Sequence, residues 1–148
     1  HVTRFIELAG EINSQMPRYV VDRVGAALNE RARAIHGSRV LVLGIAYKPD
    51  IDDIRETPAA EIITLLQQRG AIVSYHDPHV PRFPSMRQYA LDLASVALTP
   101  ETLRGSDCVL IVTNHSAVDY GMVGAHAPLI VDTRDAMRGR GGPNVVKA

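Results

Sequence analysis

The fold is decided by one stretch of the sequence, Val40-Leu-Val-Leu-Gly-Ile-Ala-Tyr-Lys-Pro-Asp-Ile-Asp-Asp-Ile-Arg-Glu-Thr-Pro-Ala-Ala60. Its first part, Val40 to Ala46, is apolar without polar alternation, which predicts a strand covered on both faces in a parallel sheet. Thr57 and Pro58 predict the cap and the first turn of a helix. The loop between them is crowded with charged residues. Because ligands of open α/β sheets bind at the carboxyl ends of the strands, this loop is expected to form part of a ligand site.

The composition excludes several classes of protein. The chain has 148 residues, of which 46% are hydrophobic, enough for one domain with a sizeable core and an appended element. Basic and acidic residues number 16 each, so no broad electrostatic surface for nucleic acid or membrane is expected. The sequence has no transmembrane or signal segment, which predicts a cytoplasmic setting. A single cysteine, Cys108, excludes an internal disulfide, and its apolar surroundings indicate a core residue rather than a nucleophile. The histidines show no zinc-like spacing, and no metal site is predicted.

The residues before the first strand predict a long amphipathic helix. Apolar residues from Val20 to Ile35 recur with a period of about 3.6, and Pro17 is expected to kink or restart the helix. The helix should extend to about His36, and it could either pack on its own domain or connect to another domain or subunit. We favour the connector, so residues 1–36 are predicted to be a connecting helix and residues 37–148 the sheet domain.

From Gly37 onward, strand-like and helix-like segments alternate, which predicts an α/β fold with βαβ units and a doubly wound parallel sheet. The predicted strands are Val40–Ala46, Ala71–His76, Ser95–Leu98, Asp107–Thr113 and Pro128–Asp132. The predicted helices are Pro58–Arg69, Met86–Ala94, Pro100–Arg104 and Ser116–Gly124.

Polar side chains collect at one predicted edge of this sheet. In a right-handed doubly wound sheet the carboxyl ends of the parallel strands meet at this edge. The residues that follow the strands there are Tyr47, Lys48, Asp77, Asn114, His115, Thr133 and Arg134. If the first and fourth strands are neighbours, two cations, Lys48 and Arg134, meet an amide and an imidazole in one crevice. Such a set suits a phosphate or diphosphate, because charge-assisted hydrogen bonds to oxyanions are stronger than neutral ones.

Some of these residues also have simpler interpretations. Lys48 could be a solvated loop lysine. Arg55 could pair with Asp52, Asp53 or Glu56 instead of a ligand. Asp77 could form only a turn with the proline that follows it. His115 could act as a general base only with partners that the sequence does not reveal.

The glycine pattern argues against an NAD site in the first loop. A dinucleotide fingerprint needs Gly-x-Gly-x-x-Gly between the first strand and its helix, and only Gly44 is present. The aspartates of the loop would also repel a diphosphate laid on the helix terminus. We therefore predict a Rossmann-like sheet in which side chains, chiefly Lys48 and Arg134, hold any phosphate.

Five motifs resemble a known family. They are Gly44-Ile-Ala-Tyr-Lys-Pro-Asp-Ile-Asp-Asp-Ile-Arg-Glu-Thr-Pro58, Gly70-Ala71, Tyr75-His-Asp-Pro-His-Val-Pro81, Thr113-Asn-His115 and Val131-Asp-Thr-Arg134. In this combination the chain resembles the C-terminal, UDP-binding domain of UDP-sugar 6-dehydrogenases. The segment Ile12-Asn-Ser-Gln-Met-Pro17 resembles the branch that acts on UDP-N-acetylhexosamines more than the UDP-glucose branch, and we favour UDP-N-acetylglucosamine as the substrate.

The resemblance implies an NAD-dependent enzyme that oxidises the sugar C6 alcohol to a carboxylate in two hydride transfers. UDP-glucose and UDP-N-acetylmannosamine are alternative substrates. In the family the NAD domain and the catalytic cysteine precede this region, so we expect the chain to be part of a longer protein and inactive alone. A homo-oligomer formed through the central helix is expected as well. The alternative is a noncatalytic nucleotide-binding or protein-interaction module.

The resemblance also implies roles for individual residues. Tyr47 and Lys48 would contact the UDP-sugar, and Arg134 would reach the substrate. Arg55 would reach NAD across the cleft between domains, oriented by Asp53 and the neighbouring acids.

One residue departs from the family pattern. Asp135 follows Arg134 where the family often has asparagine, which places a negative charge beside the predicted anion site. It would either weaken binding or pair with Arg138.

Overall fold

The computed structural model describes residues 2–55, 57–84 and 91–148, and in the first helix it describes side chains from Gln15 onward. The elements are α1 (Val2–Asn29), β1 (Arg39–Leu43), α2 (Ala59–Gln68), β2 (Ile72–His76), α3 (Pro100–Arg104), β3 (Cys108–Ile111), α4 (Tyr120–His126), β4 (Ile130–Asp132) and β5 (Val145–Lys147). None of the helices in the described ranges combines the length and the hydropathy that a bilayer crossing requires.

Five parallel strands form one sheet in the order β2-β1-β3-β4-β5. The chain moves outward from β1 to β2 and then returns to β3 on the other side of β1, so the strand order reverses between β1 and β3. This arrangement confirms the predicted doubly wound, Rossmann-like α/β sheet. Leu43 pairs with both His76 and Ile111. The loops that follow β1, β2 and β3 therefore leave the sheet at the same level.

The inner strand β1, which lies between β2 and β3, is covered on both faces, as its apolar sequence predicts. Val40 and Val42 belong to a core cluster with residues of α1 and α2, whereas Leu41 and Leu43 belong to a second cluster with residues of α3 and α4. These four side chains are at most 1% exposed. The strand is held from both sides, and its carboxyl end becomes a fixed base for the loop that follows.

The first helix differs from the prediction at its end. α1 contains Pro17 in its interior and ends at Asn29, so it does not restart at the proline, and the predicted end near His36 is wrong. Beyond the helix, Ala32 has a left-handed φ of 58°. Ile35 nevertheless packs against the core. The apolar pattern therefore extends beyond the end of the helix because Ile35 packs against the core, and not because the chain is still helical there.

The second half of α1 packs on the sheet of its own chain. The buried side chains are Val20, Val21, Val24, Ala27 and Leu28, and they share one core cluster with α2 and β1. This burial offsets the local cost of a proline inside a helix, about 3 kcal/mol. A connecting role for the helix stays a prediction.

The structure differs from the predicted strands in two places. Ser95–Leu98 is not a strand; Ser95 forms a single bridge with Tyr75. The Ser95 hydroxyl accepts the backbone N–H of Asp77 at 2.9 Å, which ties this segment to the end of β2 instead of extending a strand. The edge strand β5 was not predicted, because a three-residue segment is too short to show a period.

The helices α2 and α3 lie within the predicted helices. α4 begins at Tyr120 rather than Ser116, because Asp119 caps it by accepting the backbone N–H of Met122 at 3.1 Å. The predicted helix Met86–Ala94 falls largely outside the described residues, and its last four residues, 91–94, are not helical.

Candidate functional site

A pocket opens between α1 and the carboxyl edge of the sheet. Its volume is about 550 Å³, within the usual range for small-molecule sites. It is lined by Met16, Pro17, Val20, Tyr47, Pro58, Ile62, Val112, Thr133 and Arg134. The side chains from α1 and α2 make the pocket apolar on one side, and the residues after β1 and β4 make it polar on the other. The structure thus brings two predicted site residues, Tyr47 and Arg134, to one cavity.

Arg134 follows β4 and is anchored through its side-chain Nε. Its Nε donates to the carbonyl of Val112 at 2.9 Å. No carboxylate among the described residues lies within ion-pair distance of its guanidinium. The backbone N–H of Arg134 donates to the buried carboxylate of Asp132 at 3.0 Å. The arginine is therefore fixed in place while its terminal nitrogens keep their capacity for an anion.

Asp132 organises the turn that carries Arg134, and sequence reasoning did not single it out. Its carboxylate also accepts the backbone N–H of Ala136 at 3.2 Å and of Met137 at 2.9 Å. The only sequence signal was an aspartate at the end of a strand, followed by polar residues.

The negative charge of Asp135 is turned toward two cations. Its carboxylate pairs with Arg138 Nε at 3.0 Å and with Lys147 Nζ at 3.1 Å. Of the two outcomes expected for this departure from the family pattern, the structure shows the pairing with Arg138. Lys147 lies on β5, the strand that sequence analysis missed, so this partner could not be predicted.

Tyr47 and Lys48 lie side by side after β1. Tyr47 is 41% exposed and lines the pocket. The Lys48 Nζ lies 5.6 Å from the centre of the Tyr47 ring, within the range of a cation–π contact. Lys48 is exposed and does not line the pocket itself. It is placed beside the pocket, where its charge can reach a ligand that contacts Tyr47.

His115 is buried and fully engaged. Its Nε2 lies 2.8 Å from Asp77 Oδ2, and its Nδ1 accepts the backbone N–H of Asp50 at 2.8 Å. Because a backbone N–H can only donate, the ring proton is on Nε2. The same Asp77 oxygen accepts the N–H of Ile45 at 2.8 Å and of Ala46 at 3.2 Å. Neither His115 nor the half-buried Asn114 lines the pocket, and His115 has no nitrogen left to act as a base there.

Arg55 is held by Asp53 through a two-pronged contact. Arg55 Nε donates to Asp53 Oδ1 at 3.1 Å, and a terminal nitrogen donates to Oδ2 at 2.9 Å. These bonds lower the pKa of the Asp53 carboxyl. Both residues lie outside the pocket, and the Arg55 side chain is 86% exposed. The predicted pairing with Asp53 is present, and a role toward a cofactor stays a prediction.

A family comparison matches residues 41–139 to the UDP-binding domain of the UDP-glucose/GDP-mannose dehydrogenase family. The chain belongs to this family.

Relatives of this UDP-binding domain are N-acetylhexosamine enzymes by name. The chain is 35% identical over 114 residues to a UDP-N-acetyl-D-mannosamine dehydrogenase of Methanococcus maripaludis, covering 77% of the chain and 24% of the relative. It is 34% identical over 113 residues to an NDP-N-acetyl-D-galactosaminuronic acid dehydrogenase of Ralstonia nicotianae, covering 76% of the chain and 25% of the relative. The chain therefore spans about a quarter of the length of these relatives. These two names give N-acetylmannosamine and N-acetylgalactosaminuronic acid, whereas sequence analysis favours N-acetylglucosamine.

Solved structures show the same fold. An NDP-N-acetyl-D-galactosaminuronic acid dehydrogenase from Methanosarcina mazei matches with a TM-score of 0.76 and 27% identity, over 95% of this chain and 30% of that one. A UDP-N-acetylmannosamine dehydrogenase from Pyrococcus horikoshii also matches with a TM-score of 0.76, at 22% identity, over 96% of this chain and 32% of that one.

Gly44 of this UDP-binding domain is required by packing rather than by a ligand. Its φ is +81°, and a Cβ there would lie 2.3 Å from the carbonyl oxygen of Thr113. The glycine lets the ends of β1 and β3 approach each other. The loop that follows Gly44 is therefore not a glycine-rich loop of the kind that binds NAD.

Cys108 is a core residue, as predicted. Its side chain is fully buried in β3. Burial raises the pKa of the thiol to about 12, so it is not a nucleophile at neutral pH.

Three residues of the domain could offer ligand atoms to a metal ion, although no metal site was predicted. Suitable atoms of Asp50, His79 and His115 lie within 4.8 Å of one another. His79 Nε2 is buried without a hydrogen-bond partner among the described residues. Both nitrogens of His115 are already bonded, however, so metal binding would require the loss of one of these bonds.

Replacing Asp50 with asparagine is expected to reduce the acid sensitivity of the fold. Ser116 donates to the Asp50 carboxylate from its hydroxyl at 2.6 Å and from its backbone N–H at 2.7 Å. These bonds lower the pKa of Asp50 below its ordinary value of 3.8. A carboxyl group with a lowered folded-state pKa stabilises the fold above its unfolded pKa and loses that contribution as the pH falls through the folded pKa.

The free energy of unfolding should be compared between the unchanged chain and Asp50→Asn by urea titration at about pH 7, 4 and 3. We expect the difference to shrink as the pH falls below 3.8. Ser116→Ala removes the bond from the Ser116 hydroxyl, the shorter of the two, and should reduce the same acid dependence. A difference that stays constant across this range would contradict the assignment.

Proposed function

We propose that this chain is the UDP-binding part of an NAD-dependent enzyme that oxidises the C6 alcohol of a UDP-sugar to a carboxylate. The observation that carries the proposal is the pocket in which Tyr47 lies with Arg134 at the carboxyl edge of the sheet. Arg134 has no carboxylate partner within the part of the chain that the structure describes. The family assignment of residues 41–139 supports a uridine nucleotide as the ligand.

The proposed binding mode follows from the charges at this edge. The guanidinium of Arg134 donates to oxygens of the diphosphate, because its planar fork matches oxyanions and its Nε is already fixed on Val112. Lys48 supplies a second positive charge from the other side of Tyr47. The apolar wall from α1 and α2 covers the less polar part of the nucleotide. Backbone amides of a glycine loop take no part.

The proposed sugar is N-acetylmannosamine or another N-acetylhexosamine. The similarity to a UDP-N-acetyl-D-mannosamine dehydrogenase and to an NDP-N-acetyl-D-galactosaminuronic acid dehydrogenase supports this choice. UDP-glucose stays the alternative. Since the chain spans about a quarter of these relatives, the choice among sugars belongs to the longer protein.

Family members use NAD, and we propose that NAD is bound by another domain of a longer protein. Gly44 is committed to packing against Thr113, so the loop that follows β1 does not provide a dinucleotide cradle. Arg55 is the proposed contact toward NAD, and its exposed side chain is oriented by Asp53. Residues 1–36 are the proposed connector and oligomer contact, and the cytoplasm is the proposed location.

Isothermal titration of the chain with UDP tests the proposal. We expect UDP to bind, and Lys48→Gln to weaken binding by roughly 3- to 10-fold, because an exposed charge on a phosphate contributes about 1 kcal/mol. Arg69→Ala is the control, since Arg69 directly follows α2, pairs with Asp22 of α1 and lies outside the pocket. A folded chain that does not bind UDP would favour a protein-interaction module.

A further inference from the structure

We propose that Asp77, His115 and Asp50 are positioning residues that hold the loop from Tyr47 to Asp50 in its ligand-binding shape. The inference rests on the proposed function, because the ligand whose binding they support is UDP. None of the three residues lines the pocket. Their effect on the ligand must therefore pass through Tyr47 and Lys48.

The loop needs an external support at its far end. Asp50 has a φ of 65°, a left-handed conformation that costs energy for residues with a side chain and that aspartate adopts when local hydrogen bonds support it. Its backbone N–H donates to His115 Nδ1, and its carboxylate accepts two bonds from Ser116. The strained residue is thus held by two consecutive residues that follow β3.

The near end of the loop is held by the same network. Asp77 Oδ2 accepts the backbone N–H groups of Ile45 and Ala46, directly before Tyr47. The hydroxyl of Thr113 donates to the carbonyl of Ala46 at 2.6 Å. The loop is therefore fixed on both sides of the two residues that are proposed to contact UDP.

The two ends are coupled by one imidazole ring. His115 donates from Nε2 to the oxygen of Asp77 that holds the near end, and accepts at Nδ1 from the N–H of Asp50 at the far end. Asp77 is 2% exposed and His115 is fully buried, so water cannot replace the bond between them without a rearrangement. The spacing between the loop ends depends on this ring.

Two substitutions of His115 separate its two bonds. In asparagine the side-chain oxygen can occupy the position of Nδ1, so His115→Asn can still accept the N–H of Asp50. In glutamine the amide nitrogen can reach the position of Nε2, so His115→Gln can still donate to Asp77 but leaves the N–H of Asp50 without an acceptor.

We expect His115→Gln to weaken UDP binding at least about 10-fold and His115→Asn by only about 3-fold, although both lower the melting temperature. Ser116 is exposed, so Ser116→Ala removes one bond to Asp50 and leaves the core untouched. This variant should weaken UDP binding about 2- to 3-fold without a folding defect. His126→Asn is the control, because His126 contacts Arg104 away from the loop.

UDP affinity is measured by isothermal titration, and folding by circular dichroism and melting temperature. If the unchanged chain does not bind UDP, the proposed function fails before the inference is reached. If it binds UDP and the two His115 variants lose affinity equally, or Ser116→Ala loses none, the positioning role is overturned. Tighter UDP binding by His115→Asn than by His115→Gln supports the positioning role. A general loss of stability would not depend on whether the bond to Asp50 is kept.

Discussion

Replacing Arg134 with alanine is expected to weaken UDP binding by about 10- to 100-fold, because a charge-assisted contact to an oxyanion contributes roughly 1.5 to 3 kcal/mol. The effect should exceed that of Lys48→Gln. Arg134 lines the pocket and is pre-oriented by Val112, whereas Lys48 lies beside the pocket on a solvated stem. Isothermal titration with UDP and with UMP measures the loss.

The contribution of the guanidinium shape can be separated from that of its charge. Arg134→Lys keeps the charge but loses the planar fork and the Nε bond to Val112, so it should bind UDP with intermediate affinity. The matched control is Arg138→Ala, an exposed arginine in the same turn that pairs with Asp135 and does not line the pocket. If Arg134→Ala binds UDP as tightly as the control, the proposed anion site is wrong.

Replacing Gly44 with alanine is expected to lower the free energy of unfolding by roughly 3 kcal/mol or more. The new Cβ would lie 2.3 Å from the Thr113 carbonyl oxygen and 2.7 Å from the Thr113 Cβ. These contacts cannot be relieved by a side-chain rotation, because they involve the backbone and the Cβ at the end of β3. The chain must move β1 and β3 apart, which also disturbs the loop that carries Tyr47.

Gly37 provides the matched control for this experiment. Its φ of +82° is nearly that of Gly44, at +81°, but a Cβ there would meet nothing within 4 Å. Gly37→Ala should therefore show only the cost of the left-handed backbone, about 1 to 2 kcal/mol. Urea unfolding of both variants separates the steric contribution at Gly44 from the cost of the left-handed backbone. Equal losses in the free energy of unfolding would contradict a steric conflict with Thr113.

The parts of this structure that follow from local sequence were predictable. The continuous apolar run of β1 indicates a doubly covered strand, and its abrupt end places Tyr47 at the carboxyl edge. Arg134 was found by the same reasoning, because it follows another predicted strand. In both cases the position of the residue followed from one strand and its end, and no distant partner had to be known.

The parts that depend on distant partners were not predictable. Asp77 was interpreted as a possible turn residue, and its role became visible only when the sheet placed it beside His115, 38 positions later. The Asp50 bond to His115 spans 65 positions. The edge strand β5 is stabilised mainly by its pairing with β4, so its own three residues carry little signal.

The shared register of Leu43, His76 and Ile111 has a consequence for the order of folding. Asp50, Asp77 and His115 come from the loops after three different strands, so their network can form only after β1 has paired with both neighbours. Each pairing closes a long segment of chain, and that entropy must be offset before the loop ends can meet. A partly folded chain therefore lacks the support that holds the loop from Tyr47 to Asp50. A ligand that contacts this loop would stabilise the three strands together, and the rise of the melting temperature with ligand concentration would measure that stabilisation.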